Sequence, residues 1–367
     1  MSGKSKRPAD EERVEAFQVN RVAAPLREPL CAALRGQTAS WPPLSEDDVR
    51  TLVDHGVAPL VYAAQPLEPL RTAAIHAAAN EPRRAADLRE GLAALAARGV
   101  QVLILKGTAL AYDVYAAPEL RPRGDVDLLV SRQQSALAME VFRSLGFTAK
   151  LTSGDEHNVR QVTFTRGGHE YDLHWDIANS PLFASVLTFE GLQPIPLPRL
   201  GEHAFGLSHA DALLLACIHR VAHHHDLERL IWLVDITLLR ARMSRDEHAR
   251  FWRLAADARV VAICRRSIEL ADEWMMWGGL PPAEFLSEEE LTRPEPSSAF
   301  LDPNLRYGDV MLANLRALPW RARMQRMWQL AFPPRAFMRQ TFGNGALPWL
   351  YVKRGARGVR RLFRRMV

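Results

Sequence analysis

The chain has 367 residues, of which 48% are hydrophobic and 24% charged, so it can bury a sizeable core and wholesale disorder is excluded. Its apolar runs are shorter than the roughly 20 residues that a membrane-spanning helix needs, and its charged first residues lack the apolar stretch of a secretory signal. Three widely separated cysteines supply neither a disulfide framework nor a CxxC metal half-site, and we expect a cytoplasmic protein.

The N-terminal region, 1–98, has Ala, Leu and Arg at helical spacing and predicts several helices. Ser45 followed by three acids is typical of a capped helix start, here for a helix over 46–55. After residue 98 the pattern changes to short apolar runs rich in β-branched residues, which predict a small sheet within 99–205. The elements expected there are strands at 102–105 and 126–130, helices at 108–115 and 132–145, and a hairpin over 159–177.

The C-terminal half returns to helical spacing. Ser208 is the expected cap of a helical domain over 206–280, and residues 281–309 collect Pro, Ser and Glu, as is typical of a linker. The tail, 310–367, mixes aromatic residues with thirteen Lys or Arg and no acid, whereas residues 1–309 have a formal charge of −8. Such a tail can contact an anionic membrane surface, an acidic peptide or nucleic acid, or form a helical layer on the body. An acidic body makes nucleic acid the least favoured of these partners.

The most informative segment is RPRGDVDLLV, residues 121–130. Alternate side chains of a strand share a face, so Asp125 and Asp127 point the same way while Val126 and Leu128 point into the core. Two neighbouring carboxylates repel each other unless a cation lies between them. Carboxylate oxygens together with substrate phosphates suit Mg²⁺, or Mn²⁺, so the pair predicts a metal-bound nucleotide.

A second strand, HEYDLHWDI over 169–177, places Asp172, His174 and Asp176 on one face. Asp172 is a third carboxylate that can complete a two-metal site with Asp125 and Asp127, or take the proton from an attacking hydroxyl. We interpret His174 and Asp176 as residues that support the strand or its loop.

Upstream, the run ILKGTALA places Gly107 and Thr108 between a strand and a helix, where exposed backbone amides bind phosphate. Lys106, Arg121 and Arg123 are the cations expected to neutralise the triphosphate, the arginines through two-pronged contacts. A solvated strand end is the alternative role for Lys106.

These motifs resemble a known superfamily. The order of strand, Gly-Thr turn, helix, Asp-Val-Asp strand and a later strand with Asp is similar to the polymerase-β-type nucleotidyltransferases. LKGTALAYDVY, RPRGDVDLLV, YDLHW and LIWLVDITLL are similar to a family of bacterial nucleotidyltransferases over about 45–245. The resemblance implies that Gly107 and Thr108 form the phosphate-binding turn. It also implies that Asp125 and Asp127 bind metal and that Asp172 is the third acid.

The fold expected from these elements is α+β. A small mixed-sheet nucleotidyltransferase core is flanked by N-terminal helices and a C-terminal helical domain, with the cleft between the sheet and the C-terminal helices. The resemblance implies transfer of a nucleotidyl or other phosphoryl group from an NTP, with ATP our choice, to an acceptor hydroxyl. A small molecule, a peptide and a protein all fit as acceptor. A catalytically inactive relative that binds NTP or a partner is the alternative.

The run IHRVAHHHDLERLIWLVDI supports a second alternative. His219 and His223 lie four residues apart, a helical spacing that can bind zinc, and His225-Asp226 with Asp235 resembles metal-dependent phosphohydrolases of the His-Asp type. A further ligand histidine on an earlier helix is not identifiable. We therefore expect these residues to face the cleft or to join helices through hydrogen bonds.

Overall fold

The computed structural model describes residues 19–363, except 151–160, 178–179, 181, 184–185, 277, 279, 303–304, 306, 334 and 344. The charged N-terminal segment, the start of the predicted hairpin at Val159, and Arg364 and Arg365 of the tail lie outside the described residues.

Helices account for most of the described secondary structure. They are α1 Ala24–Leu34, α2 Glu46–Asp54, α3 Ala58–Ala64, α4 Arg71–Ala97, α5 Lys106–Asp113, α6 Ser135–Ser144, α7 His209–Ala222, α8 Leu230–Arg242, α9 Arg245–Asp257, α10 Val261–Met275, α11 Glu288–Thr292, α12 Tyr307–Ala317, α13 Trp320–Ala331, α14 Arg335–Phe342 and α15 Leu347–Phe363. The strands are β1 Val102–Ile104, β2 Asp125–Val130, β3 Thr148–Ala149, β4 Gln161–Arg166, β5 His169–His174, β6 Pro194–Pro196 and β7 Phe205–Leu207.

Five of the strands form one mixed sheet in the order β1-β2-β5-β4-β3, and β6 pairs with β7 separately. β2 and β5 are parallel neighbours, whereas the other pairs of the main sheet are antiparallel. The turn between β4 and β5 is Gly167-Gly168, and both glycines have positive φ, a conformation that favours glycine. The α+β fold predicted from the sequence is confirmed, with helices on both sides of the sheet in the chain.

The two faces of the sheet differ in chemistry because side chains alternate along each strand. On one face Val126 and Leu128 of β2 and Tyr171 of β5 join a core with Leu92 of α4 and Phe142 of α6. On the opposite face β2 presents Asp125, Asp127 and Leu129, and β5 presents Glu170, Asp172 and His174. The α4–α6 layer therefore closes the apolar face and leaves the acidic face directed toward the other helices.

The helices on the acidic side form one large core. Leu30 and Leu52 from the N-terminal region are buried in the same cluster as Leu214 of α7, Ile231 of α8 and Ile263 of α10. The first three helices thus share a core with α7–α10, although some 150 residues of sequence separate them. The cap predicted at Ser45 is observed as a capping box with Asp48, and Ser208 caps α7 through the backbone N–H of Asp211.

The segment over 281–309 differs from the loop that its composition predicts. It contains two 3₁₀ helices and α11, and it buries Leu286 and Phe300 in the large core. The Glu295 carboxylate accepts hydrogen bonds from the backbone N–H groups of Val261 and Ala262 at 2.9 and 2.8 Å. These amides belong to the first turn of α10, which leaves them without helical partners, so an acid in the segment completes the helix start.

The tail forms α12–α15. Met338 of α14 and Leu350 of α15 are buried, and Asn314 of α12 accepts a hydrogen bond from the Ser180 hydroxyl at 2.5 Å. Among the described residues, none of the helices is both long and apolar enough to cross a bilayer.

Candidate active site

Two of the predicted acids lie side by side on the acidic face. Asp127 of β2 and Asp172 of β5 are directly paired in the parallel register of the two strands. His174, two residues after Asp172, points to the same face, and its Nε2 lies 2.9 Å from Asp127 Oδ1. One ligand atom from each of these three residues lies within 4.8 Å of the others. This geometry permits the three side chains to bind one cation.

Lys106 neutralises part of this charge from the first turn of α5. Its Nζ lies 2.6 Å from Asp127 Oδ1. Burial alone would raise the pKa of Asp127, but Lys106 and His174 hold that pKa well below its usual range. The backbone of Lys106 has φ 51°, which costs a non-glycine residue roughly 1–2 kcal/mol and is typical of functional sites. The ion pair thus places the Lys106 ammonium against Asp127 on the acidic face rather than in solvent.

Asp125 lies at the exposed end of β2, on the same face as Asp127. The surrounding protein raises the pKa of its carboxyl by removing hydration, and the nearby Asp127 charge raises it further. The close group of ligand atoms is formed by Asp127, Asp172 and His174. The structure thus brings the predicted trio together only in part. His174, interpreted from the sequence as a supporting residue, both contacts Asp127 and completes the group.

The donor set decides which cations fit. Two carboxylates and one imidazole supply two oxygens and a nitrogen, a mixture suited to Mn²⁺ and other transition metals, whereas Mg²⁺ prefers oxygen ligands alone. Asp125 lies outside this close group, at the exposed end of β2 on the same face, and offers a carboxylate as an alternative oxygen ligand. The residues present therefore fit a divalent cation, with His174 as the feature that distinguishes Mn²⁺ from Mg²⁺.

The Gly-Thr turn lies where the sequence predicts, at the start of α5. Both of its residues are in contact with arginines of the protein. Thr108 is buried, and its hydroxyl accepts a hydrogen bond from Arg123 Nε at 3.0 Å. A Cβ on Gly107 would meet the Arg121 guanidinium at 3.1 Å, so glycine leaves room for that arginine. The first amides of α5 have no partners within the helix and are the part of the turn suited to phosphate.

Arg121, predicted as a triphosphate contact, is bound instead to Asp235 of α8. Its Nε and Nη2 donate to the two carboxylate oxygens at 2.8 and 2.7 Å, and the Tyr115 hydroxyl donates to Oδ1 at 2.7 Å. Burial would lower the pKa of Arg121, but the Asp235 charge raises it above its usual value. The pair ties the segment before β2 to α8, within the wall of the cleft.

Arg123, the second predicted triphosphate contact, is also held inside the protein. Its Nη2 lies 2.6 Å from Glu81 Oε1 of α4, and the Tyr112 hydroxyl donates to the same oxygen at 2.6 Å. Burial and the Glu81 contact raise the pKa of Tyr112. Both arginines therefore brace the cleft walls, because their guanidinium groups already have carboxylate partners. Sequence reasoning missed Glu81, since an acid within a long polar helix carries no local sign of burial.

Three aromatic side chains form part of the cleft wall, and we call them the aromatic wall. His219 of α7, His224 and Trp232 of α8 line the same cavity as Lys106 and Asp127. The ring centroid of His224 lies 4.7 Å from that of His219 and 4.4 Å from that of Trp232. Burial lowers the pKa of His224, and that of the adjacent His223, to about 4, and Lys106 adds to the effect. The wall is therefore uncharged at neutral pH and presents flat π surfaces.

The acids proposed for a phosphohydrolase site are engaged with arginines. Asp226 lies 2.5 Å from Arg220 and 3.2 Å from Arg266, and Asp235 holds Arg121. His219 and His223 stack with ring centroids 5.2 Å apart. Stacked rings and paired acids do not converge on one point, which opposes the His-Asp alternative.

The family model described as an uncharacterised nucleotidyltransferase matches residues 47–276, well over half of the chain. The chain belongs to this family. The match includes the two acidic strands, α5 and the aromatic wall. No curated protein matches the chain.

Proposed function

We propose that the protein transfers a nucleoside monophosphate from an NTP to a hydroxyl group of an acceptor, with a divalent cation at Asp127 and Asp172. The observation that carries this proposal is the direct pairing of these two acids on parallel strands, with Asp127 and the start of α5 in the wall of one cleft. Family membership supports the transfer of a nucleotidyl group. The proposed donor is ATP, and the acceptor is a small molecule, a peptide or a protein.

In this mechanism the cation, when bound, supplies positive charge for the phosphates and the developing oxyanion. Asp127 and Asp172 hold it, and either His174 or Asp125 adds a ligand. The acceptor hydroxyl oxygen bonds to the α-phosphorus while the bond to the diphosphate breaks. Asp172 is positioned to receive the hydroxyl proton, because the Thr163 hydroxyl donates to its Oδ1 at 2.5 Å and thereby orients the other oxygen.

The triphosphate is assigned to the start of α5. The amides of Gly107 and Thr108 point out of the helix N-terminus, and the Lys106 ammonium has three donors, one of which bonds to Asp127. Arg121 and Arg123 are assigned to bracing the cleft, because releasing either guanidinium would leave a buried carboxylate without a cation.

The nucleobase is assigned to the aromatic wall. His224 and Trp232 form adjoining π surfaces in the same cavity as Asp127. A base stacked on such a surface gains roughly 1–3 kcal/mol with little dependence on its identity. Weak discrimination among the NTPs is therefore expected.

A label-transfer assay tests the proposal. Each [α-³²P]NTP is incubated with Mn²⁺ or Mg²⁺, the protein and fractionated cell extract as the acceptor source. Asp127→Asn and Asp172→Asn should each reduce label transfer by about a thousandfold, the size typical of losing a metal-bound transition-state contact. Glu170→Gln is the matched control, since Glu170 occupies the same strand and face two residues before Asp172. Equal activity in the Asp127 and Glu170 variants would contradict the proposal.

Binding of Mn²⁺ distinguishes the two donor sets. If His174 is a ligand, electron paramagnetic resonance of the Mn²⁺ complex should show coupling to an imidazole nitrogen that His174→Ala removes. If Asp125 is the third ligand, the coupling is absent and Asp125→Asn weakens binding instead.

A second candidate function, NTP binding without transfer, is favoured by the Lys106–Asp127 ion pair. An ammonium bonded to the central carboxylate supplies, within the chain, the positive charge that a cation would otherwise supply. Calorimetry separates the candidates. A binding module should take up a nonhydrolysable NTP equally well with and without Mn²⁺, whereas the proposed transferase should bind it more tightly with Mn²⁺.

A further inference from the structure

An apolar helix face in the tail is turned toward solvent. Trp320, Met324, Met327 and Trp328 occupy positions i, i+4, i+7 and i+8 of α13, so they lie on one side of the helix. Their exposed fractions are 69%, 57%, 48% and 66%. Such a face normally packs against the rest of the protein. We call these four residues the α13 face.

More exposed apolar residues continue this surface beyond α13. The ring of Phe332, 48% exposed, lies 4.4 Å from that of Trp328 and 5.7 Å from that of Tyr351. The Tyr351 hydroxyl donates to the backbone carbonyl of Pro333 at 2.7 Å, which joins α15 to the end of α13. α15 in turn exposes Trp349 and Val352.

Positive charge accompanies the apolar surface. After Asp309 the chain has thirteen Lys or Arg and no acid, and Arg321, Arg335, Arg339 and Lys353 are exposed. Arg321 follows Trp320 directly, and its guanidinium lies 5.5 Å from the centre of the Trp320 ring. Helical geometry places Arg321 and Arg323 at the two edges of the α13 face. Tryptophan beside arginine, on a helix with an exposed apolar stripe, is the composition of helices that lie in a membrane interface.

We propose that the α13 face and the surrounding basic residues bind the surface of an anionic phospholipid bilayer. The apolar side chains would enter the boundary between headgroups and acyl chains, and the arginines would contact lipid phosphates. The positive charge of the tail selects this occupant. A second copy of the chain meeting the same face would bring arginine against arginine, which opposes a symmetric dimer. Uncharged lipid would leave the basic residues without partners.

Vesicle sedimentation with the full chain tests the proposal. Vesicles of phosphatidylcholine alone are compared with vesicles that also contain phosphatidylglycerol, at low and at physiological salt. Binding should be at least ~10-fold stronger with the anionic lipid, because each basic residue near the surface adds roughly 1 kcal/mol, and should weaken as salt rises. Equal binding to both vesicle types, or none, overturns the proposal.

Two variants separate the apolar and charged contributions. Trp320→Ser with Trp328→Ser, and Arg321→Gln with Lys353→Gln, should each reduce binding to anionic vesicles by about tenfold or more. Ile75→Ser is the control, because Ile75 is an exposed apolar residue of α4, outside the tail. These side chains are exposed, so circular dichroism should show unchanged folding. Light scattering completes the test. A dimer in solution that the tryptophan variants dissociate, without vesicle binding, would assign the face to a second copy instead.

Discussion

The Arg121–Asp235 pair and the Lys106–Asp127 pair line the same cleft and differ in how fully they are bonded. Arg121 makes a forked contact with Asp235, which Tyr115 also binds, and both charged side chains are almost completely buried. Lys106 reaches Asp127 with a single ammonium bond, beside His174 and Asp172.

This difference distinguishes an ion pair that only stabilises the fold from one that can also bind another molecule. A forked, buried pair has used its hydrogen-bonding capacity and can only hold the walls in place. A single contact from a flexible lysine leaves donors and carboxylate oxygens for another molecule. Of the three cations that the sequence assigns to the triphosphate, the structure leaves Lys106 as the one suited to it.

Breaking the forked pair should have the largest effect on folding. Asp235→Ala would leave the Arg121 charge buried without a partner, so the free energy of unfolding should fall by about 3–5 kcal/mol. Urea denaturation measures this free energy of unfolding. The control is Asp176→Ala, which removes an ion pair with the exposed Arg132 and should cost under about 1 kcal/mol. A loss of equal size in both variants would mean that the buried pair has no special role.

Acid should destabilise the fold through His223 and His224, at the aromatic wall of the cleft. The pKa of His223 and of His224 is lowered to about 4 in the folded protein, whereas an unfolded histidine titrates near 6.5. Between these pH values the unfolded chain binds more protons, so stability is complete above about pH 6.5 and falls as the pH drops toward 4. Each histidine accounts for roughly 1–3 kcal/mol, because one pKa unit is about 1.4 kcal/mol and solvent screens part of the effect at the partly exposed His224.

Urea denaturation across this pH range checks the effect. Replacement of both residues, His223→Gln with His224→Gln, should flatten the slope, and a slope that persists unchanged in the double variant would assign the proton uptake to other groups.

Removing the positive charge of Lys106 should reduce turnover more than it reduces the stability of the fold. Lys106→Gln takes away the donor assigned to the triphosphate, so label transfer should fall on the order of a hundredfold, typical of losing one such donor. Lys106→Arg keeps the charge and should retain more activity. A Lys106→Gln protein as active as the parent would remove Lys106 from the mechanism.

Adding a methyl group beside the Arg121–Asp235 pair should have the smallest effect on stability. Gly107→Ala adds a Cβ 3.1 Å from the Arg121 guanidinium and should destabilise the fold by about 1 kcal/mol. Gly124→Ala is the matched control, because its Cβ would meet nothing within 4 Å and the residue lines the same cleft. Thermal unfolding of the two variants measures the difference, and equal midpoints would show that the arginine moves aside freely.

Much of the fold could be predicted because its signals are local. The capping boxes, the apolar runs of β1 and β2, and the glycine turn before β5 each depend on a few adjacent residues. The alternation of acids and apolar residues in β2 and β5 likewise predicts an acidic and an apolar face for each strand. The packing of the segment over 281–309 could not be predicted, because its short apolar pairs, such as Phe285-Leu286, lack the periodicity that marks a buried helix or strand.

The partners of the charged residues could not be predicted in the same way. Arg121 and Asp235 are 114 positions apart, and Arg123 and Glu81 are 42 apart. An arginine next to an Asp-x-Asp motif has the same sequence signature whether it binds phosphate or a distant carboxylate. The role of His174 likewise depends on which strand lies beside β5.

The sequence by itself determined the class of fold, the two acidic strands, the Gly107-Thr108 turn before a helix and the basic tail, because periodicity, turn signals and charge are properties of neighbouring residues. The tertiary structure decided that β2 and β5 pair in parallel with Asp127 opposite Asp172, that Arg121 and Arg123 are bound to carboxylates, and that the α13 face meets solvent. These outcomes depend on which distant segments meet, and burial then requires each charge to find a partner of opposite sign.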